Sequence, residues 1–230
     1  MESVYDRTEK LIGAVKLDII KNSGIIVFGL GGVGGYAVET LARSGVGTIG
    51  IVDCDVVGIT NINRQIAALK STVGKYKADV FKERIADINE EIKVNAFKER
   101  LTRYNADIFF TENYDYILDA IDDVAAKIAL IEKAKELRIP VISSMGAGNK
   151  TDPSRFRVCE ISAAHTCALA RKMRRELAVR GIKGVKAVFS DELPEKSAGA
   201  PASIAFVPAA AGILLAGEAI RDLLATEKSL

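Results

Sequence analysis

The chain has 230 residues, with 32 Lys and Arg against 30 Asp and Glu, a formal net charge of +2 and 49% hydrophobic residues. That length supports one sizeable α/β core, and the near balance of charge excludes a global field that would draw the whole surface to nucleic acid. The 3 cysteines, odd in number and widely spaced, exclude a disulfide framework and suit a reducing cytoplasm, while the charged stretch Met1 to Lys10 lacks the apolar core of an export signal.

Short apolar runs alternate with longer amphipathic ones. Ile25 to Phe28 reads as a strand, Gly29-Leu30-Gly31-Gly32-Val33-Gly34 follows it, and a helix runs through Tyr36 to Arg43. A glycine loop between strand and helix lets the backbone approach a phosphate held at the helix N-terminus. The next apolar run, Thr48 to Asp53, ends on an acid about twenty residues past the glycines, the spacing of a carboxylate that bonds a ribose hydroxyl. Up to this point the pattern serves a dinucleotide enzyme or oxidoreductase equally well.

Ala78, Phe81, Ile85 and Ile88 recur at helical spacing. Lys93 to Lys98 and Tyr116 to Asp119 read as strands, Val124 to Leu137 as a helix that stops before Pro140, and Pro140 to Ser144 as a buried strand. Repeated βα units predict an α/β fold, a Rossmann-like, mostly parallel sheet flanked by helices. Beyond Gly146 the rhythm breaks. Arg155 to Glu160 and Lys186 to Phe189 read as strands flanking a basic helix, Ala168 to Val179, and Pro208 to Leu224 reads as a terminal helix. The expectation is a single domain, with a nucleotide-binding core to about residue 150 and a smaller C-terminal extension after it. Ser190 to Pro201 collects prolines, small residues and charges and reads as flexible. Ile204 to Leu215 is apolar but broken by Pro208 and Gly212, too short to span a membrane, and reads as a core helix.

Three residues outside the glycine loop change the chemistry. Arg64 and Lys77 put two cations near the phosphates, and Asp122, in Asp119-Ala120-Ile121-Asp122-Asp123, puts a carboxylate at the tip of a later strand. A dehydrogenase requires none of them. Adenylyl transfer from ATP does, because cations stabilise a pyrophosphate leaving group and Mg2+ needs an oxygen ligand.

With Asp53-Cys54-Asp55 and Asn61-Ile62-Asn63-Arg64-Gln65, the ordered set resembles the family that activates carboxylates as adenylates, the ubiquitin-activating enzymes and bacterial sulfur-carrier adenylyltransferases among them. The resemblance implies a ubiquitin-activating-enzyme-like adenylation fold in which Gly29, Gly31, Gly34 and Asp53 bind adenosine. It further implies that Asn61, Arg64, Gln65 and Lys77 complete the ATP site and that Asp122 binds Mg2+. An Asn often follows that aspartate in the family, whereas here the residue is Asp123. The N-terminal Arg-aromatic-x-Arg of the family reads Val4-Tyr5-Asp6-Arg7, which keeps only the second arginine. That match implies a homodimer in which Arg7 reaches the ATP of the other subunit, with Arg7, Arg64, Lys77 and Asp122 as the catalytic set.

Three later segments are similar to the tRNA threonylcarbamoyladenosine dehydratases of that family: Ile142 to Lys150 with Asp152 to Phe156, Leu169 to Leu177, and Ala200 to Pro208. The implied reaction adenylates the threonyl carboxylate of a modified tRNA adenosine beside the anticodon and then closes a ring with loss of AMP. A cytoplasmic location and sulfur-carrying partners of the cysteine-desulfurase type belong to the same expectation. The alternative is an adenylyltransferase for the Gly-Gly tail of a ubiquitin-like sulfur carrier. Such enzymes typically hold zinc with two Cys-x-x-Cys pairs, and here Cys54, Cys159 and Cys167 stand apart. Cys167 and the one histidine, His165, read as loop residues, with a thioester role for Cys167 as the sharper alternative. The run Arg171, Lys172, Arg174, Arg175, Arg180, Lys183 and Lys186 reads either as a solvated face or as a surface for tRNA phosphates.

Overall fold

The computed structural model describes residues 3–196 and 201–226. Apolar runs supply the strands β1 (Gly24–Phe28), β2 (Thr48–Val52), β3 (Lys93–Phe97), β4 (Tyr116–Asp119), β5 (Val141–Ser144), β6 (Phe156–Glu160) and β7 (Lys186–Ser190). The helices are α1 (Asp6–Ile12), α2 (Ala14–Asn22), α3 (Gly34–Ser44), α4 (Lys77–Ile88), α5 (Val124–Leu137), α6 (Ala168–Val179) and α7 (Phe206–Thr226). All strands join one sheet in the order β3-β2-β1-β4-β5-β7-β6, parallel throughout except for the antiparallel pair β6 and β7. The lost rhythm after Gly146 is the return of β6 as an edge strand antiparallel to β7.

Every residue of β1 is buried, as in a strand covered on both faces. Ile25 and Val27 enter a core with α2, α3, α4 and α7, while Ile26 and Phe28 enter a second core with α5 and α6. Pro208 falls in the first turn of α7, where its missing N–H costs nothing, and Gly212 lets that helix lie against α3. A Cβ on Gly212 would stand 2.1 Å from the Val33 carbonyl oxygen. Among the described residues no helix is long and apolar enough to cross a membrane.

Two elements differ from the sequence expectation. The helices α1 and α2 carry no clear apolar period, and α1 buries no residue at all. α2 packs through Leu17 and Ile20, and the entry to α1 is anchored by Tyr5, a buried side chain whose hydroxyl donates to the Ala42 carbonyl at 3.0 Å and accepts from Asn89 Nδ2 at 3.1 Å. Of the segment read as flexible, residues 197–200 lie outside the described residues. The part before them is held: Glu192 is buried and accepts from the N–H groups of Thr151 at 2.8 Å and Asp152 at 3.0 Å.

Candidate active site

The sheet grows in opposite directions from β1, through β2 and β3 on one side and through β4 onward on the other. Loops part at such a switch point and open a crevice beyond the carboxyl ends of the strands. A cavity of about 900 Å³ lies there, bounded by the ends of β1 and β2, the turn after β4, residues 146–148 and Leu169 of α6.

The glycines have separate tasks. Gly29 has a φ of +86°, and a Cβ on it would come 2.7 Å from the Ala120 carbonyl oxygen, so glycine alone permits the turn against β4. Gly31 faces the cavity with open space beside it. Gly34 stands behind the wall: its Cβ would lie 1.8 Å from the Gly29 carbonyl oxygen, so its absence seats α3 on the loop.

Asp53 ties this loop to β2. Its Oδ2 accepts from the Leu30 N–H at 2.6 Å and its Oδ1 from the Asp55 N–H at 2.8 Å. Lys77 opens α4 and is drawn across by its own N–H, which donates to the Asp55 carbonyl at 3.0 Å. Its ammonium lies 2.9 Å from Asp55 Oδ2 and 3.7 Å from Asp53 Oδ2, with the side chain 6% exposed. The hydrogen bond from Lys77 holds the Asp55 carboxyl below its ordinary range, against the opposing effect of partial burial. Lys77 thus lodges on the Asp-x-Asp pair rather than projecting into open cavity.

The loop between β2 and α4 supplies the next group. Asn61 Oδ1 accepts from the Gly58 N–H at 3.0 Å and closes a short turn, Ile59–Asn61. Arg64 folds back to donate to the Thr60 carbonyl and to Asn63 Oδ1, both at 2.8 Å. Asn63 in turn donates to the Ser203 carbonyl at 3.0 Å and joins this loop to the segment before α7. Gln65 lines the cavity, is 8% exposed, and its Oε1 has no hydrogen-bond partner among the described residues. A buried acceptor left open is costly.

Asp122 stands exposed in the cavity wall, and its carboxylate has no hydrogen bond or ion pair among the described residues. Asp53 and Asp55, by contrast, are offset by Lys77. Asp123 has a different task. Its Oδ1 accepts from the Ala126 N–H at 2.8 Å as the N-cap of α5. Asp and Asn cap equally well, which accounts for an acid at this position. An acid directly before a helical run is the sequence signal for that role.

Other candidate residues lie farther out. Arg7 is exposed on α1 and is not part of this cavity wall. The basic run divides: Arg174 donates to the Ala164 carbonyl, Arg180 pairs with Glu132 and Glu176, and Lys186 pairs with Glu218 and Asp222. Arg171, Lys172 and Arg175 remain exposed on α6, without an ion pair among the described residues. Cys167 is buried, with its Sγ 3.4 Å from where a Gly146 Cβ would be, so it packs behind the wall. The His165 ring meets Phe189 edge-on, centroids 5.3 Å apart. Sequence reasoning missed Asn63, and it missed Asp119 and Lys127, both fully buried. Asn63 lay in view within the Asn61 to Gln65 run, whereas a buried lysine leaves no sequence signal.

The comparisons agree with this geometry. The ThiF family matches residues 5–230. The chain is 46% identical over 239 residues to the tRNA threonylcarbamoyladenosine dehydratase of Bacillus subtilis, covering 96% of this chain and 94% of that one. The crystal structure of the Escherichia coli tRNA N6-threonylcarbamoyladenosine dehydratase in complex with ATP superposes with a TM-score of 0.93 at 34% identity, over 98% of this chain and 95% of the other. The same enzyme in complex with AMP gives 0.92 at 33% identity, with both chains covered in full at 100%. By fold, by switch-point cavity and by likeness along nearly its whole length, the chain belongs to the ThiF family, among its tRNA threonylcarbamoyladenosine dehydratases.

Proposed function

We propose that the chain uses ATP to dehydrate threonylcarbamoyladenosine next to the tRNA anticodon. One observation carries this reading: one cavity of about 900 Å³ is walled by the nucleotide loop, Asp53 and Asp122 together with residues 146–148 and the start of a basic helix. That volume suits a nucleotide together with the tip of a second substrate.

The threonyl carboxylate attacks the α-phosphate of ATP, a P–O bond forms, and the α–β anhydride bond breaks to release pyrophosphate. The carbamoyl group of the same side chain then attacks the activated carbonyl, and AMP departs with the carboxylate oxygen. The net change is loss of water from the nucleoside. Ring closure within one bound side chain needs proximity and no enzyme nucleophile, in keeping with a Cys167 packed behind the wall. The Gly29 turn and the α3 N-terminus receive phosphate oxygens, and Asp53 keeps acceptor capacity for a ribose hydroxyl. Lys77 lowers the repulsion between the Asp53–Asp55 pair and an incoming triphosphate, and Arg64 stabilises charge on the departing pyrophosphate. Mg2+ held by Asp122 would supply Lewis-acid stabilisation of the same charge.

Purified chain is expected to form AMP and pyrophosphate only when tRNA carrying threonylcarbamoyladenosine is present. Its tRNA affinity should fall steeply with salt, and replacing Arg171, Lys172 and Arg175 by Gln should flatten that slope by roughly 0.7–0.9 per lost phosphate contact while ATP affinity holds. An unchanged slope removes α6 from the RNA surface. Stimulation by a Gly-Gly-ending protein in place of tRNA would favour the sulfur-carrier alternative.

The proposal includes a homodimer. Arg7 stands two residues past the anchored Tyr5, outside the cavity of its own chain, as an arginine given to a partner must. Mixing Arg7→Ala with Asp122→Ala subunits should recover activity, because one site of each mixed dimer is intact at both positions. Proven subunit exchange without recovery excludes donation in trans.

A further inference from the structure

Lys127 sits where a lysine is doubly unfavourable. It lies in the first turn of α5, where the helix dipole repels a cation, and it is fully buried. A methionine would fill the same space without either cost. The ammonium nevertheless finds three acceptors: Asp119 Oδ2 at 2.9 Å, Ser143 Oγ at 3.0 Å and the Ser144 carbonyl at 2.8 Å. Ser143 Oγ in turn donates to Asp119 Oδ2 at 2.6 Å. All donors of the ammonium are used, so the group is a fixed joint rather than a mobile charge.

The joint fastens two pieces of the cavity wall. Asp119 is the last residue of β4, and its other oxygen accepts from the Ile121 N–H at 3.1 Å, which sets the turn that presents Asp122. Ser144 is the last residue of β5, one residue before the stretch 146–148 that also lines the cavity. A hydrophobic residue at position 127 would pack α5 on the sheet, but it would remove the ammonium that Asp119 shares with the Ser144 carbonyl and leave the strand ends joined by the sheet pairing and the Ser143–Asp119 bond alone.

We propose that Lys127 is a positioning residue for the reaction: through Asp119 and Ser144 it fixes the Asp122 carboxylate relative to the wall at residues 146–148. This rests on the reading of Asp122 as the Mg2+ ligand. Lys127 itself touches no substrate.

The test measures ATP affinity by calorimetry with and without Mg2+, in the absence of tRNA, for wild type, Ser143→Ala, and the double variant Lys127→Met with Asp119→Asn. The double variant removes the buried pair together and keeps an oxygen for the Ile121 N–H, so no unpaired charge is left inside. It is expected to unfold cooperatively and to bind ATP without Mg2+ as wild type does. The gain in affinity that Mg2+ brings should shrink by about tenfold to a hundredfold, the range for partners that orient a metal ligand. Ser143→Ala should shift it in the same direction by less. A folded double variant with an undiminished Mg2+ gain overturns the proposal, and so does an equal loss of affinity with and without Mg2+, which marks general collapse of the site. Asp122→Ala is the control: if it keeps the full Mg2+ gain, the metal reading fails independently of Lys127.

Discussion

Replacing Arg64 or Asp122 by Ala should lower tRNA-dependent AMP formation by about 100- to 1,000-fold, the usual cost of removing one group that stabilises transition-state charge. Neither change should disturb the fold. Among the described residues, Arg64 is a half-buried loop residue whose guanidinium holds only the Thr60 carbonyl and Asn63, and the Asp122 carboxylate is exposed and makes no bond. The two variants should differ in one respect. Arg64→Lys keeps the charge but loses the planar fork, and should recover part of the activity. Asp122→Asn keeps an oxygen but loses the charge that favours a divalent cation, and should recover little except at high Mg2+. Thermal melts establish folding, and pyrophosphate release with saturating tRNA gives turnover. Wild-type turnover in either folded alanine variant would remove the central claim about the phosphate end of the cavity.

Gly34→Ala should do the greatest damage for the smallest chemical change. The added methyl would stand 1.8 Å from the Gly29 carbonyl oxygen and 3.1 Å from Ala120 Cβ. Backbone, unlike the end of a flexible side chain, has little room to give. Either α3 lifts from the loop or Gly29 leaves its φ of +86°, and both moves spoil the surface offered to a phosphate. Overpacking of this kind costs roughly 1–3 kcal/mol, occasionally more. The variant should lose ATP affinity well beyond what its drop in melting temperature explains, because the clash lies at the binding loop itself. Gly31→Ala is the informative contrast. Its Cβ meets only Gln65 Nε2, at 3.9 Å, so any loss of ATP binding there reflects a ligand contact rather than a damaged fold. Equal melting temperature and equal ATP affinity in Gly34→Ala and wild type would contradict the packing role.

What could be read from the sequence followed from burial. Strands covered on both faces leave continuous apolar runs, so β1, β4 and β5 were visible as runs ending in turns, and Pro140 marked where α5 had to stop. The glycine loop between β1 and α3 and the acid after β2 were legible as positions because the spacing of strand, loop and helix is set by local backbone geometry. Side-chain destinations were not. A row of Arg and Lys gives no sign of which member folds back, and Arg174 proves to brace the loop at Ala164 while its neighbours stay exposed. Lys127 reads as an ordinary solvent-facing lysine on a helix until β4 and β5 are brought beneath it. The helices α1 and α2 escaped for the opposite reason: with no buried residue in α1, nothing in its pattern distinguishes it from a charged tail.

The docking of α7 has a consequence for how the chain acquires its site during synthesis. Ser203 and Pro208 belong to the cavity wall, Gly212 lies against the α3 segment that opens from the glycine loop, and Val207, Ala211 and Leu215 fill the core on that face. The glycine loop, made early, therefore meets its covering helix only after α7 has left the ribosome. Until then the apolar face of α3 that α7 will cover stays open to solvent and to misdirected contacts, the stage at which partly folded chains aggregate. The nascent chain thus completes the wall of the nucleotide pocket and the core on that face in one step, the arrival of α7.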